Sequence, residues 1–414
     1  RFAHLADVHL GFQKFDSLKK IEQDAFEGIV SQCISRRVDF VLVCGDLFHV
    51  NIPDMGTNTF AFEQFRRLKE SGIPVYAVYG SHDFSPVSKS IIDLLQAAGL
   101  ITKVTIPEGA SGKTRLGFIT DPKTGAKITG LPGLKAGREK DLYENLDREA
   151  LKAEEGFKIF LFHGAISELV SDTHGDSMAL SLLPPGFEYY AGGHLHKYTP
   201  REYPDYPHVI YPGTPFCGYH SDLEYNARGE KRGFVLVDFD DRVTDVKFVV
   251  IENAKYEIID TSCNNRNSIR VDAELRDCAK NINPQGKIII IKLAGELSTG
   301  KTADIDTAAV KGGLMEAGAL AVNIHKNQLT SKEYNITGVK GKNREEITHN
   351  IFAENIGEVI TRQEELAGES GVSLAKRLLE ELAQPKQDNE KKREYEERVD
   401  SRALGAMEID INDS

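Results

Sequence analysis

The sequence predicts a mixed α/β protein: a sheet with helices on its faces, then a small second α/β domain, then a charged helical tail. Two observations predict it. In the first half, apolar runs of strand length alternate with stretches of period 3.6. Several of the joints carry Gly or Pro, among them Gly45, Gly80 and Pro86, as strand-to-helix loops do. A third observation concerns the size. At 414 residues the chain is too long for one small core, so two or three domains are expected.

The strand-like runs are Phe2–Ala6, Phe40–Cys44, Val75–Tyr79, Ile159–His163 and Tyr189–Gly193. Helical periodicity marks Ile21–Arg36, Thr57–Glu70 and Ser88–Ala98 between them. This βαβ alternation implies a sheet covered by helices. From about Val209 the helices stop, and Gly233–Phe239 and Thr244–Ile251 read as strands of a β-rich closing half. The pattern resets around Asn264–Asn267. A strand over Ser268–Val271, a helix over Ala273–Asn281, a strand over Lys287–Ala294 and a helix over Asp304–Glu316 are expected there, ending near Arg344. Glu345–Leu366 and Ser373–Leu382 read as helices, Pro385 interrupts, and Lys386–Arg402 is densely charged, with Tyr395, Val399, Ala403 and Met407 at helical spacing. The expected boundaries are therefore 1–262, 263–344 and 345–414.

Composition narrows the class. A net charge of −12 argues against nucleic-acid binding through global positive charge. It leaves room for metal ions, and for local basic groups such as Arg36 with Arg37, Arg66, Arg67 and Lys69, Lys113 with Arg115, and Lys340, Lys342 and Arg344. No apolar run approaches the roughly 18 residues of a membrane span. The five cysteines are scattered without a CxxC pair, so a reduced, cytoplasmic thiol set is expected, with no signal peptide before the first strand.

Five short segments each follow a predicted strand and carry Asp or His. They hold Asp7 and His9, Asp46 and His49, His82 and Asp83 after Ser81, His163, and His194 with His196. In α/β sheets, metal and ligand sites form outside the carboxyl ends of strands. Carboxylates and imidazoles without thiolates suit a hard or borderline divalent ion. A carboxylate such as Asp46 can bridge two ions, and two ions about 4 Å apart clamp a phosphate and ionise a water.

These residues resemble the calcineurin-like metallophosphoesterase superfamily, whose pattern is D-x-H, G-D, G-N-H-[DE], H and G-H-x-H. The resemblance spans roughly residues 2–250 and implies a two-sheet metallophosphoesterase sandwich with flanking helices. It implies that Asp7, His9, Asp46 and His196 hold one ion, and that Asp46, residue 81, His163 and His194 hold the other. His82 would stand behind the ions to stabilise the transition state or protonate the leaving oxygen. The departure is Ser81, where the family has Asn. Its hydroxyl is a shorter and weaker donor, which weakens the second ion's site.

The His49 after Gly45, Asp46, Leu47 and Phe48, together with the run Tyr211–Phe216 and the strand near Gly229–Asp238, resembles the meiotic-recombination-eleven nucleases, called SbcD in bacteria, of archaeal type. That likeness implies a manganese-dependent DNA nuclease with two Mn²⁺ per chain (Mg²⁺ as a substitute). Its activities would be 3′-to-5′ exonuclease and single-strand or hairpin endonuclease, with His49 helping to handle the DNA end. It also implies a DNA-contacting capping domain and a homodimer through Thr57–Glu70 and Ser88–Ala98. An SMC-like ABC ATPase of the Rad-fifty/SbcC type would bind residues around 370–408, where Leu374, Leu378, Leu379 and Leu382 form an apolar stripe. Rival expectations are a phosphodiesterase for small substrates, and a DNA-end scaffold in which Ser81 leaves catalysis weak. The run Gly295–Thr302 fits the pattern G-x(4)-G-K-[ST] of a phosphate loop, but the segment around it is small for a nucleotide hydrolase and lacks a following strand that ends in Asp. A Gly-rich turn is expected instead.

Overall fold

The computed structural model describes residues 1–85, 89–108, 113–135, 138–170, 177–216, 219–332, 348–349, 352, 368–387, 390 and 392–407. The first elements are β1 (Phe2–Leu5), α1 (Asp16–Ser35), β2 (Phe40–Cys44), α2 (Met55–Glu70), β3 (Val75–Val78), α3 (Ile91–Ala97) and β4 (Thr102–Lys103). A ribbon of β5 (Pro107–Glu108) and β6 (Arg115–Leu116) leads to β7 (Ile119–Thr120), β8 (Lys127–Leu131), α4 (Glu139–Glu144), α5 (Arg148–Ala153), β9 (Lys158–His163) and β10 (Tyr189–Gly193). Then come β11 (Thr199–Tyr203), β12 (Tyr206–Tyr211), α6 (His220–Ala227), β13 (Gly233–Phe239) and β14 (Val243–Val250).

Two six-stranded sheets result, in the orders β14-β13-β1-β2-β3-β4 and β11-β12-β10-β9-β8-β7. Strands β1 to β4 run parallel in the first, as do β8, β9, β10 and β12 in the second. The runs of β1, β2, β3, β9 and β10 are buried throughout, and they read as near-continuous apolar stretches because both faces of the sheet are covered. Alternate residues divide between layers. Phe2, Phe40, Leu42 and Tyr76 meet Ile128, Ile159, Leu161 and Tyr189 between the sheets. Ala3, Leu5, Val41 and Val43 face Phe26, Ile29, Val30 and Phe65 of α1 and α2. Phe160, Phe162 and Tyr190 cover the far side with Tyr143 and Phe187. The expected two-sheet sandwich with flanking helices is present.

A third sheet, ordered β15 (Lys255–Ser262), β16 (Lys287–Leu297) and β17 (Ala321–Ser331), accompanies α7 (Ser268–Lys280) and α8 (Thr307–Glu316). The strand expected over Ser268–Val271 is the first turn of α7 instead. Val271 and Leu275, four apart, are both buried while Ile269 is exposed, which is the spacing of a helix face. Ile288, Ile290 and Ala321 of this sheet pack with Leu18, Ile21 and Ala25 of α1 and Leu223 of α6, all within one compact unit.

By contacts the chain forms two compact units. One is Arg1–Asn264, Ile269–Gly295 and Ile305–Leu329; the other is Asn265–Ser268, Glu296–Asp304 and Thr330–Ser414. Within the second unit, the run that mimics a phosphate loop is a turn. The chain passes from β16 into a short 3-10 turn (Thr302–Asp304), and α8 starts only at Thr307. Asp304 accepts from the Lys301 N–H at 2.6 Å and the Ser268 hydroxyl at 3.0 Å, so a carboxylate stands where a phosphate loop would hold its anion. The same unit holds α9 (Gly368–Leu382) and α10 (Lys392–Ala406), which pack on each other. Val372, Val399 and Ala403 are buried there, while Leu379, Leu382 and Met407 are exposed. The helix expected over Glu345–Leu366 and the basic group Lys340, Lys342 and Arg344 lie outside the described residues, apart from 348, 349 and 352.

Candidate metal centre

Every predicted site residue lies at or just beyond the carboxyl end of a parallel strand. Asp7 and His9 follow β1, Asp46 and His49 follow β2, Ser81 and His82 follow β3, His163 ends β9, and His194 and His196 follow β10. Backbone bonds brace these loops against one another, from Asp7 N to Gly45 O at 3.1 Å and from His9 N to Asp46 O at 3.0 Å. Asp7, His9, Asp46 and His194 all have positive φ, at 53°, 51°, 48° and 101°. Such conformations cost side-chain-bearing residues of order 1–3 kcal/mol each and persist only where the surroundings enforce them. Here Asp83 enforces one loop, accepting from the amides of Leu47, Phe48 and Gly80. Glu22 enforces another by accepting from Gly11 and Gln13. Gly193 is obligatory, because a Cβ there would lie 1.9 Å from the Cys44 carbonyl and 2.8 Å from His163 Nδ1.

The side chains converge. Ligand-capable atoms of Asp7, His9 and His196 lie within 4.8 Å of one another, as do those of Asp7, Asp46 and His163. One oxygen of Asp46, Oδ2, sits 3.3 Å from His163 Nε2 and 3.9 Å from His9 Nε2, between the two groups. His194 donates its amide to both Asp7 oxygens at 2.9 Å, and its ring packs edge-on against His163 at 5.4 Å. The Ser81 hydroxyl reaches toward Asp46 Oδ2 at 3.5 Å, the limit of a hydrogen bond. His49 stacks on His82 with centroids 4.9 Å apart and meets Phe12 edge-on. A cleft of about 550 Å³ opens over Asp46, Ser81, His82, His194 and His196.

Hydrogen bonds fix the tautomers. His163 Nδ1 donates to the Cys44 carbonyl at 2.9 Å, so in the neutral ring Nε2 presents a lone pair to the Asp46 carboxylate. His196 Nδ1 donates to Asp222 at 2.8 Å, turning its Nε2 lone pair toward His9 Nε2, 3.1 Å away. Lone pairs aimed at a carboxylate and at a second imidazole need a cation or a proton between them. Among the described residues, His163 Nε2 and His9 Nδ1 are buried with no hydrogen-bond partner. This donor set fits divalent cations. With protons alone, the same geometry drives strong shifts. Burial opposes the charge of His163, yet Asp46 and Asp7 outweigh it and raise the ring to about 10. Burial raises the Asp7 carboxyl to about 6. Asp46 is held well below the usual carboxylate range, because His163, His9 and His82 outweigh its burial.

Three participants escaped the sequence. Asp222 on α6 orients His196 and also accepts the Tyr219 amide at 2.9 Å. Buried Arg232 bonds Asp222, Asn226 and the His196 carbonyl, tying α6 to the loop after β10. Tyr219 stacks on His196 at 5.3 Å, and its hydroxyl lies 3.1 Å from His82 Nε2. Because His82 Nδ1 donates to the His49 carbonyl at 2.8 Å, the Tyr219 hydroxyl donates to Nε2 of the neutral ring. The signal for Asp222 was absent, since it belongs to no strand-end motif. Carboxylate–histidine pairs of this kind orient ligands and raise their basicity.

Residues 1–198 match the family model of the calcineurin-like phosphoesterases. The DNA double-strand break repair protein Mre11 of Sulfurisphaera tokodaii is 28% identical over 294 residues, which span 69% of this chain and 72% of that protein. The protein of the same name from Sulfolobus acidocaldarius is 25% identical over 338 residues, covering 80% of this chain and 84% of that one. That from Archaeoglobus fulgidus is 27% identical over 265 residues, or 57% of each chain. The chain thus carries a calcineurin-like metallophosphoesterase domain, with archaeal Mre11 proteins among its homologues.

Proposed function

We propose that this protein is a manganese-dependent DNA phosphodiesterase that trims ends 3′ to 5′ and cuts single strands and hairpins during double-strand break repair. The observation that carries it is Asp46 Oδ2, placed between the His163 and His9 groups as a bridging carboxylate would be. Asp7, His9, Asp46 and His196 would hold one Mn²⁺, and Asp46, Ser81, His163 and His194 the other, with Mg²⁺ as a substitute. Divalent ions bound there would supply Lewis-acid stabilisation of the phosphate and a low-pKa water as nucleophile. The chain's own groups do the rest. His82 faces the cleft with Nε2, positioned by the His49 carbonyl and Tyr219, and once protonated there it would give that proton to the departing 3′ oxygen. His49, stacked behind it, would support the ring and the DNA end.

The proposed organisation is a nuclease domain over 1–262, a DNA-contacting cap over 263–344 and a tail over 345–414. The relatives' role in break repair supports DNA as substrate. Exposed Leu379, Leu382 and Met407 on α9 and after α10 support a partner surface around 370–408, assigned here to an SMC-like ABC ATPase. Helices α2 and α3 are the proposed homodimer contact. A cytoplasmic, nucleoid-associated location fits, and among the described residues no helix is long and apolar enough to cross a membrane.

A second reading has its own observation. The Ser81 hydroxyl is a neutral donor at 3.5 Å from Asp46, so a weakly held second ion would leave an end-binding scaffold. The test is cleavage of end-labelled duplex and hairpin DNA by chelator-stripped protein reloaded with Mn²⁺, beside hydrolysis of bis(p-nitrophenyl) phosphate. DNA cleavage supports the nuclease. Turnover of the small diester alone favours a small-substrate enzyme, and turnover of neither favours the scaffold.

A further inference from the structure

Next to the metal centre lies a second cavity, of about 320 Å³, that the proposed chemistry does not use. Phe12, Lys14 and Phe15 wall it from the segment before α1, Tyr219 from the segment before α6, and Lys311 and Met315 from α8. All six belong to one compact unit. Phe15 is 62% exposed, unusual for an aromatic ring beside a packed domain, and the Lys311 ammonium stands 5.9 Å from its centroid. Phe12 packs edge-on against both His49 and Tyr219. Tyr219 is the shared wall. It lines the metal cleft as well, stacked on His196 with its hydroxyl on His82.

We infer that this cavity receives an unpaired nucleobase of the strand whose phosphate sits at the metal centre; the inference rests on the nuclease reading above. Its chemistry matches that occupant. Bases stack on exposed aromatic rings regardless of sequence, and ammonium groups beside the rings meet the strand's phosphates. An apolar peptide would leave Lys14 and Lys311 without counterparts. The continuity through Tyr219 places the cavity one wall away from His82, within reach of a nucleotide adjoining the reacting phosphate. A base can enter only after it leaves its pair, so frayed ends, overhangs and hairpin loops gain a contact that intact duplex lacks.

The test uses the full chain loaded with Mn²⁺ and a single-stranded phosphorothioate oligonucleotide with 2-aminopurine near its 3′ end, compared with the same oligonucleotide made abasic there. The variants are Phe15→Ala, which removes an exposed ring, and Met315→Trp, which fills the cavity. Both leave the metal residues untouched, and hydrolysis of bis(p-nitrophenyl) phosphate should stay at the wild-type rate. Wild type should bind the base-bearing strand about tenfold or more tighter than the abasic one, the scale of one base–aromatic stack, and quench the 2-aminopurine. Both variants should lose that preference. Equal binding of the two strands by wild type, or an undiminished preference in both variants, overturns the inference. Base-dependent binding without any DNA cleavage would instead count against the nuclease reading and leave the base site standing.

Discussion

Asp222→Asn should weaken metal binding without dismantling the fold. One oxygen of Asp222 serves both His196 Nδ1 at 2.8 Å and the Tyr219 amide at 2.9 Å, while the other faces Arg232 at 3.4 Å. Asparagine has a single carbonyl oxygen. If it keeps His196 and Tyr219, its NH₂ group is pressed against the guanidinium. If it turns to Arg232, the NH₂ meets His196 Nδ1–H, and the ring must move its proton to Nε2, the nitrogen that points at His9. Either outcome degrades a ligand. Loss of such an outer hydrogen bond costs about 10–100-fold in metal affinity, or about 1.4–2.7 kcal/mol. Equilibrium dialysis against Mn²⁺, followed by metal analysis, reads the affinity directly, and circular dichroism checks the fold. Wild-type affinity in a folded variant would refute the assignment of Asp222 as the group that orients His196.

Further predictions follow from the same geometry. Gly193→Ala drives a methyl into the Cys44 carbonyl and the His163 ring; a lowered Tm, from about 1–3 kcal/mol of overpacking, should accompany loss of Mn²⁺ in thermal and metal-content assays. Ser81→Asn should lower the higher of two Mn²⁺ half-saturation values by roughly tenfold, the effect of restoring a carbonyl donor, as read from cleavage rate against Mn²⁺ concentration. Buried His4 donates from Nε2 to the Gly192 carbonyl, accepts from the Tyr189 hydroxyl, and is pushed down by burial to about 3. Its native state therefore binds fewer protons than the unfolded chain between that value and 6.5. Stability is whole above pH 6.5 and falls as pH drops toward 3, by at most about 5 kcal/mol at 1.36 kcal/mol per unit. Urea titrations in this range should show a flatter acid limb for His4→Gln.

Much of the centre was legible because strand and ligand signals coincide. The apolar runs of β1, β2, β3, β9 and β10 are buried on both faces, and Asp or His stands at or beyond each carboxyl end. Other parts were hidden for physical reasons. Strand β8 is an interior strand of the second sheet, between β9 and the edge strand β7, but Gly130 breaks its apolar run. A Cβ there would lie 2.3 Å from the Leu161 carbonyl, so close approach required glycine where β-propensity favours a branched residue. The β-branched start of α7 reads locally as a strand, and its helical face becomes visible only when Val271 and Leu275 are taken together. Strand β17 carries His325, Lys326, Asn327 and Gln328 on partly open surface, so its alternation is blurred. Asp222, Tyr219 and Arg232 reach the site through tertiary packing alone.

The claim on which the account turns is that Asp46 joins two ions in one centre. Electron paramagnetic resonance during a Mn²⁺ titration tests it most directly. Two ions per chain with an exchange-coupled signal, lost in Asp46→Ala, is the predicted result. A single uncoupled Mn²⁺ at saturation in the folded wild-type chain, with Asp46→Ala giving the same spectrum, would contradict it.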